Sequence, residues 1–178
     1  MSDLTAKIIG IHEAFEHASL PHAFGGALAL AWCTQRARGT IDIDVNVFVS
    51  ADQAEAIARS LPAGVQMSKD DKAALRREGQ VRLWWDGTPL DLFLNTTDFH
   101  EEVSARIRWE QFAEHPIPFL SCNDLAVFKA FFNRTRDWAD LEEMHAAGTL
   151  DINRVTAVLV KYLGVEDERI VHLARLAG

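Results

Sequence analysis

The chain has 178 residues, of which 48% are hydrophobic and 25% charged, and its net charge is −8 at pH 7. These values are typical of one globular domain and exclude intrinsic disorder and low-complexity or collagen-like architecture. No apolar run approaches the roughly 20 residues that a membrane-spanning helix needs, and the N-terminal residues do not resemble a signal peptide. We therefore expect a cytoplasmic protein with no membrane partner, in which Cys33 and Cys122 are free, buried thiols.

The N-terminal part of the chain alternates between helical and strand patterns. Apolar residues at spacings of three and four predict a helix over residues 3–18. A short strand at 22–24 leads through a glycine pair into the helix formers ALALAWCTQ. Strict alternation in IDIDVNVFV predicts a strand over 41–49 with one buried face, and Ser50 is expected to cap the next helix.

The remaining patterns predict one hairpin among further helices. A charged stretch predicts a short exposed helix over 69–78. QVRLWW and TPLDLFLN flank Asp86-Gly87, the preferred centre of a tight hairpin turn. Helical patterning returns near 98–105, and an extended segment is bracketed by prolines 116 and 118. Four more helices are predicted over 122–132, 136–147, 151–163 and 166–176.

This order of elements predicts an α+β (mixed α/β) fold with a small mixed sheet flanked by helices. The sheet and its helices should occupy residues 1–120. Residues 121–178 should form a helical C-terminal part packed on that core, so that the whole is a single compact domain.

The strongest chemical feature is a pair of carboxylates on the strand over 41–49. Asp42 and Asp44 point to the same face, at a spacing where a cation between them relieves their repulsion. Asp91, in the second strand of the predicted hairpin, would join them if the two strands are neighbours. Three such acids can hold two Mg²⁺ ions in the geometry of phosphoryl transfer. The alternative is that these acids are the solvent face of an edge strand.

A glycine turn precedes the acidic strand. Gly25 and Gly26 end a short strand and open a helix, where backbone N–H groups favour a phosphate. Arg38 precedes the aspartates and could bind phosphate or pair with an acid. A turn without a ligand and a solvated loop arginine are the alternatives.

Together these residues resemble the signature of the nucleotidyltransferase (DNA polymerase β-like) superfamily. Gly25-Gly26 followed by a helix and by Arg38-x-Thr40-x-Asp42-Ile43-Asp44 is similar to its glycine turn and Asp-x-Asp strand. The form is most similar to AbiEii-type toxin nucleotidyltransferases of abortive-infection systems. The resemblance implies the sheet of that superfamily.

A second block extends the resemblance to about residue 145. The run from Asn123 to Lys129, followed by Arg134-x-x-Asp137-x-x-Asp140, is similar to a helical segment of the family. By resemblance, Lys129 would bind the triphosphate, and Asp137 or Asp140 would orient it or another side chain.

The same resemblance implies roles for the N-terminal motif. Gly25, Gly26, Arg38 and Thr40 belong to the nucleotide-binding signature. Asp42 and Asp44 would ligate Mg²⁺, with two ions expected, and Asp91 would be the third carboxylate and a candidate base for the acceptor hydroxyl.

The resulting hypothesis is a Mg²⁺-dependent enzyme that transfers NMP from an NTP to an acceptor hydroxyl. The acceptor could be a tRNA end, a protein or a small molecule, and the family suggests a toxin–antitoxin or abortive-infection role with a cognate antitoxin. The acidic balance argues against a large RNA. The alternatives are a non-catalytic nucleotide-binding or regulatory module, and an interaction protein whose acids are surface residues.

Overall fold

The computed structural model describes residues 4–37 and 39–176, and those residues contain a six-stranded mixed sheet. Its order is β3-β4-β2-β1-β6-β5. Central β2 pairs in parallel with β4 and antiparallel with β1. The strands are β1 His22–Phe24, β2 Ile43–Ser50, β3 Gln80–Trp85, β4 Thr88–Asn95, β5 Arg108–Phe112 and β6 His115–Phe119.

Nine α-helices are assigned within the described residues, together with a single 3₁₀ turn at Ala51–Gln53. The helices are α1 Leu4–His17, α2 Gly26–Thr34, α3 Ala54–Ser60, α4 Lys69–Glu78, α5 Asp98–Ser104, α6 Cys122–Phe132, α7 Thr135–Ala146, α8 Ile152–Leu163 and α9 Glu168–Leu176. The predicted mixed α/β fold is therefore confirmed. No helix in the described part of the chain is both long and apolar enough to cross a membrane.

The described residues divide into two compact units. The first contains residues 4–28 and 39–120 and therefore the whole sheet. The second contains residues 29–37 and 121–176, which include the C-terminal part of α2 and helices α6 to α9.

The hairpin between β3 and β4 forms where the sequence predicts it. Trp85 pairs with Thr88 around a two-residue turn, in which Asp86 and Gly87 have φ values of 44° and 79°. Both residues thus adopt the left-handed conformation that this type of turn requires, which explains the preference for Asp-Gly.

The central strand differs from its prediction. β2 begins at Ile43, so Ile41 lies outside it and is 81% exposed. Strand residues from both sides of the alternation are buried, including Asn46 and Phe48, so both faces of β2 are covered. The expectation of one buried face was therefore wrong. Ser50 precedes a 3₁₀ turn, but its side chain accepts no capping hydrogen bond.

The hairpin of β5 and β6 was not predicted beyond its extended second arm. Ala113 and Glu114 form its turn with φ values of 46° and 69°, and neither residue is a typical turn former. Pro116 and Pro118 are tolerated in β6 because only Phe119 of that strand registers with β1.

The two cysteines form a disulfide, so the expectation of free thiols was wrong. Cys33 lies in α2 and Cys122 begins α6, with their Cα atoms 5.6 Å apart despite a sequence separation of 89 residues. The cytoplasmic location on which that expectation rested stays a prediction. A disulfide does not support it, because disulfides are more typical of oxidising compartments.

Candidate functional site

The three aspartates lie on two neighbouring strands of the first unit. Asp44 of β2 is in register with Asp91 of β4, so the two side chains share one face of the sheet. Asp42 precedes Asp44 by two residues and continues the same face from the residue before β2. The strand adjacency that the sequence argument required is therefore present.

An arginine lies within this group of acids. Arg82 of β3 pairs with Asp91 across the hairpin, and its Nε and Nη2 donate to the two carboxylate oxygens at 2.7 and 2.6 Å. Its Nη2 is also 4.0 Å from Asp42 Oδ2. The hydrogen bonds to Asp91, followed by the charges of the three aspartates, raise the pKa of Arg82.

This arrangement tests whether the aspartates suit a cation. A guanidinium group already lies beside two of these acids, hydrogen-bonded to Asp91 and 4.0 Å from Asp42, so this pair of carboxylates attracts a positive charge. The side-chain atoms that Asp42, Asp44 and Asp91 offer to a metal are all carboxylate oxygens, the ligands that Mg²⁺ prefers. The Arg82 side chain is 52% exposed, so its guanidinium group is accessible to solvent.

The glycine turn lies directly against Asp44. The Gly25 N–H donates to the Asp44 carbonyl at 2.9 Å and extends the pairing of β1 with β2. Gly26 follows with φ of +51°, and a Cβ atom built on it would be 1.7 Å from Asp44 Oδ2. Only glycine suits this position, because both the backbone conformation and the close carboxylate exclude a side chain.

Thr40 contacts the first aspartate and orients it. Its Oγ1 donates to Asp42 Oδ1 at 2.6 Å, and the Asp42 N–H donates back to Oγ1 at 3.4 Å. Its contact is thus with a predicted metal ligand. Arg38, the other predicted nucleotide-binding residue of this segment, lies outside the described residues.

The remaining predicted residues form an ion-pair cluster in the second unit. Lys129 Nζ donates to Asp140 Oδ2 at 2.6 Å and is 3.8 Å from Asp137 Oδ1. Arg134 makes two hydrogen bonds to Asp137, at 2.7 and 3.1 Å. Lys129, Asp137 and Asp140 are all at least 93% buried, so none of the three is a surface residue. Their role toward a nucleotide stays a prediction.

Sequence reasoning did not assign Arg82 to the site, although the signal was present. A two-residue turn at 86–87 makes Trp85 pair with Thr88. Counting three residues back and three forward from that pair places Arg82 opposite Asp91. The hairpin prediction therefore contained this contact.

Comparisons with known proteins identify the fold. No family model matches the sequence, and no curated protein matches it. ANT(2″)-Ia in complex with adenylyl-2″-tobramycin is similar in structure, with a TM-score of 0.59 at 16% identity, covering 97% of this chain and 96% of that one. The lincosamide antibiotic adenylyltransferase LnuA with lincomycin bound has a TM-score of 0.54 at 13% identity, covering 80% and 96% of the two chains.

A nucleotidyltransferase-like protein from Paracoccidioides brasiliensis also matches, with a TM-score of 0.52 at 10% identity and coverage of 96% of this chain and 92% of that one. At these identities the comparisons establish the fold alone. The chain has the fold of nucleotidyltransferases, as the resemblance implied, whereas the particular similarity to AbiEii-type toxins stays a prediction.

Proposed function

We propose that this protein is a Mg²⁺-dependent nucleotidyltransferase that transfers NMP from an NTP to the hydroxyl group of a small molecule. The observation that carries the proposal is the register of Asp44 with Asp91 on adjacent parallel strands, with Asp42 on the same face. Carboxylates in this arrangement beside a glycine turn match the chemistry that metal-bound triphosphates require.

Each residue of the first unit then has a definite task. Asp42, Asp44 and Asp91 would hold the divalent cation, and Thr40 keeps the Asp42 carboxylate turned toward the cluster. Bound Mg²⁺ would neutralise charge on the triphosphate and on the departing pyrophosphate. Gly26 leaves the start of α2 open, so that backbone N–H groups there can approach phosphate oxygens. Asp91 is the candidate base for the acceptor hydroxyl.

Three facts favour a small acceptor over a tRNA end or a protein hydroxyl. The chain aligns over 96% of ANT(2″)-Ia, a protein solved in complex with an adenylylated small molecule. LnuA likewise was solved with lincomycin, another small molecule. The net charge of −8 opposes binding of a long RNA. A toxin role with a cognate antitoxin remains the alternative that the sequence resemblance implies.

Calorimetric titration of the four NTPs, with and without Mg²⁺, tests the metal site. We expect Mg²⁺-dependent binding of at least one NTP by the wild type and its loss in Asp44→Asn. The control is Asp70→Asn, which removes an exposed carboxylate of α4 and should bind as the wild type does. Equal binding by Asp44→Asn and the control would refute the proposed site.

The pairing of Arg82 with Asp91 favours a second candidate, a non-catalytic nucleotide-binding module, because it engages the third carboxylate. Pyrophosphate release separates the two. With a panel of hydroxyl-bearing acceptors, including aminoglycosides and lincosamides, an enzyme releases pyrophosphate with one of them. A binding module binds the NTP in the same Mg²⁺-dependent way and releases none.

A further inference from the structure

Two histidines and a glutamate meet on the other side of the sheet. His12 and Glu16 are one turn apart on α1, and His22 begins β1. Their potential ligand atoms all lie within 4.8 Å of one another, and His12 Nδ1 is 3.0 Å from His22 Nε2. We propose that these three side chains form a binding site for a zinc-class divalent cation, with water as a fourth ligand.

The hydrogen bonds prepare His22 to act as a ligand. Its Nδ1 lies 2.8 Å from the Leu20 carbonyl, which can only accept, so Nδ1 carries the proton and Nε2 presents a lone pair toward His12. Metal-binding histidines use this same arrangement, in which a carbonyl or carboxylate holds the other ring nitrogen. Without metal, His12 Nδ1 donates its proton to His22 Nε2, and a cation would replace that proton.

The surroundings favour the neutral, ligating form of both rings. His12 and His22 are 9% and 3% exposed, and burial lowers the pKa of each, which opposes protonation near neutral pH. Phe15 and Phe24 pack edge-on against His22 and form an apolar wall behind it. The negative charge of Glu16 raises the pKa of both rings, but burial has the larger effect. Glu16 is exposed, so its carboxylate would close the solvent side of the site.

The distances suit a small tetrahedral ion. Zinc–nitrogen bonds of about 2.0–2.1 Å separate tetrahedral ligands by about 3.3–3.4 Å. The two ring nitrogens, 3.0 Å apart, are close to this spacing. A Glu16 carboxylate oxygen already lies within 4.8 Å of both nitrogens, and rotation of this exposed side chain can bring it to the ligand spacing. Two histidines and a glutamate are an established zinc ligand set, whereas the oxygen-only aspartate cluster suits Mg²⁺.

This site is distinct from the aspartate cluster. His22 pairs with Val47, which is three residues from Asp44 along β2, so His22 and Asp44 point to opposite faces of the sheet. The inference therefore does not depend on the proposed transfer reaction. A cation bound here would join α1 to β1 and stabilise the first unit by binding only the folded chain.

Cobalt spectroscopy on the chelator-treated full chain tests the proposal. Co²⁺ is titrated in excess Mg²⁺, which occupies oxygen ligands, and the visible d–d absorption is recorded before and after addition of Zn²⁺. The variants are His12→Gln, His22→Gln and Glu16→Gln. The control is Glu13→Gln, because Glu13 is also exposed on α1 and its loss changes the net charge equally.

We expect one equivalent of Co²⁺ to give the intense absorption of a tetrahedral site containing nitrogen, and Zn²⁺ to abolish it. His12→Gln and His22→Gln should lose the absorption, and Glu16→Gln should bind Co²⁺ about tenfold or more weakly. Zn²⁺ should also raise the Tm of the wild type.

The proposal is overturned if no intense absorption develops, or if Glu16→Gln and Glu13→Gln weaken Co²⁺ binding equally. The second result would mean that general electrostatic attraction suffices. Glu16→Gln decides the matter even if the buried histidine variants fail to fold, because Glu16 is exposed.

Discussion

Replacement of Gly26 by alanine separates the backbone role of this residue from its contact with Asp44. Gly26 has φ of +51°, and an added Cβ atom would lie 1.7 Å from Asp44 Oδ2 and 2.6 Å from its Cγ. The Asp44 carboxylate must therefore rotate away. Gly87 is a matched control, since its φ is +79° but a Cβ atom there would meet nothing within 4 Å.

The two substitutions share one energetic cost and differ in another. A left-handed alanine costs about 1–2 kcal/mol in either turn. Gly26→Ala adds about 0.5–1.5 kcal/mol for forcing the Asp44 side chain from its rotamer. Displacing one cation ligand should weaken Mg²⁺-dependent nucleotide binding at least about tenfold, which corresponds to about 1.4 kcal/mol.

Urea denaturation measures the loss of stability in both variants, and nucleotide calorimetry measures the loss of Mg²⁺-dependent affinity. We expect both variants to fold, with Gly26→Ala less stable than Gly87→Ala by about 0.5–1.5 kcal/mol, and only Gly26→Ala to lose Mg²⁺-dependent affinity. If Gly26→Ala binds nucleotide as Gly87→Ala does, the contact of Gly26 with Asp44 has no part in binding and the reasoning is refuted.

Three further changes test other interactions. Arg82→Gln removes the guanidinium group that pairs with Asp91 and should raise Mg²⁺ affinity up to about fivefold by calorimetry, since exposed ion pairs contribute up to about 1 kcal/mol. Unchanged affinity would show that Arg82 does not compete with Mg²⁺ for the aspartates. Asp140→Asn removes the negative charge 2.6 Å from buried Lys129 and leaves the Asp137 carboxylate 3.8 Å away. This change should cost up to about 3 kcal/mol in urea denaturation, whereas the double variant Lys129→Met/Asp140→Leu, which leaves no unpaired lysine, should cost less. The reverse order would contradict a desolvated ion pair. Burial lowers the pKa of His100, so as the pH falls the histidine is protonated first in the unfolded chain, and the free energy of unfolding should decrease below about pH 6.5. His100→Gln should reduce that decrease, whereas the control His17→Gln, at an exposed position, should leave it unchanged.

The local elements were predictable because their signals are local. The helix at α6 follows from its apolar residues and from Ser121, whose hydroxyl accepts the N–H of Asp124. The hairpin of β3 and β4 follows from Asp86-Gly87, and its register even places Arg82 opposite Asp91. The hairpin of β5 and β6 was missed because residues without turn preferences form its turn.

The disulfide and the cluster of His12, Glu16 and His22 needed the tertiary structure. Cys33 and Cys122 are 89 residues apart, and no local pattern shows that α2 and α6 bring them within bonding distance. The seven histidines show no metal-binding spacing along the sequence, so no local pattern indicates a zinc site. His22 joins His12 and Glu16 only through the packing of α1 against β1.

The sequence by itself thus determined that Asp42 and Asp44 share one face of the sheet, since residues two apart on a strand do so whatever the strand packs against. It also determined the glycine turn before that strand. Only the tertiary structure decided that β4 lies beside β2, that Lys129 is buried with Asp140, and that two histidines meet behind the sheet. The physical reason is that local patterns specify backbone conformation, whereas the pairing of distant segments depends on how the whole chain buries its apolar surface.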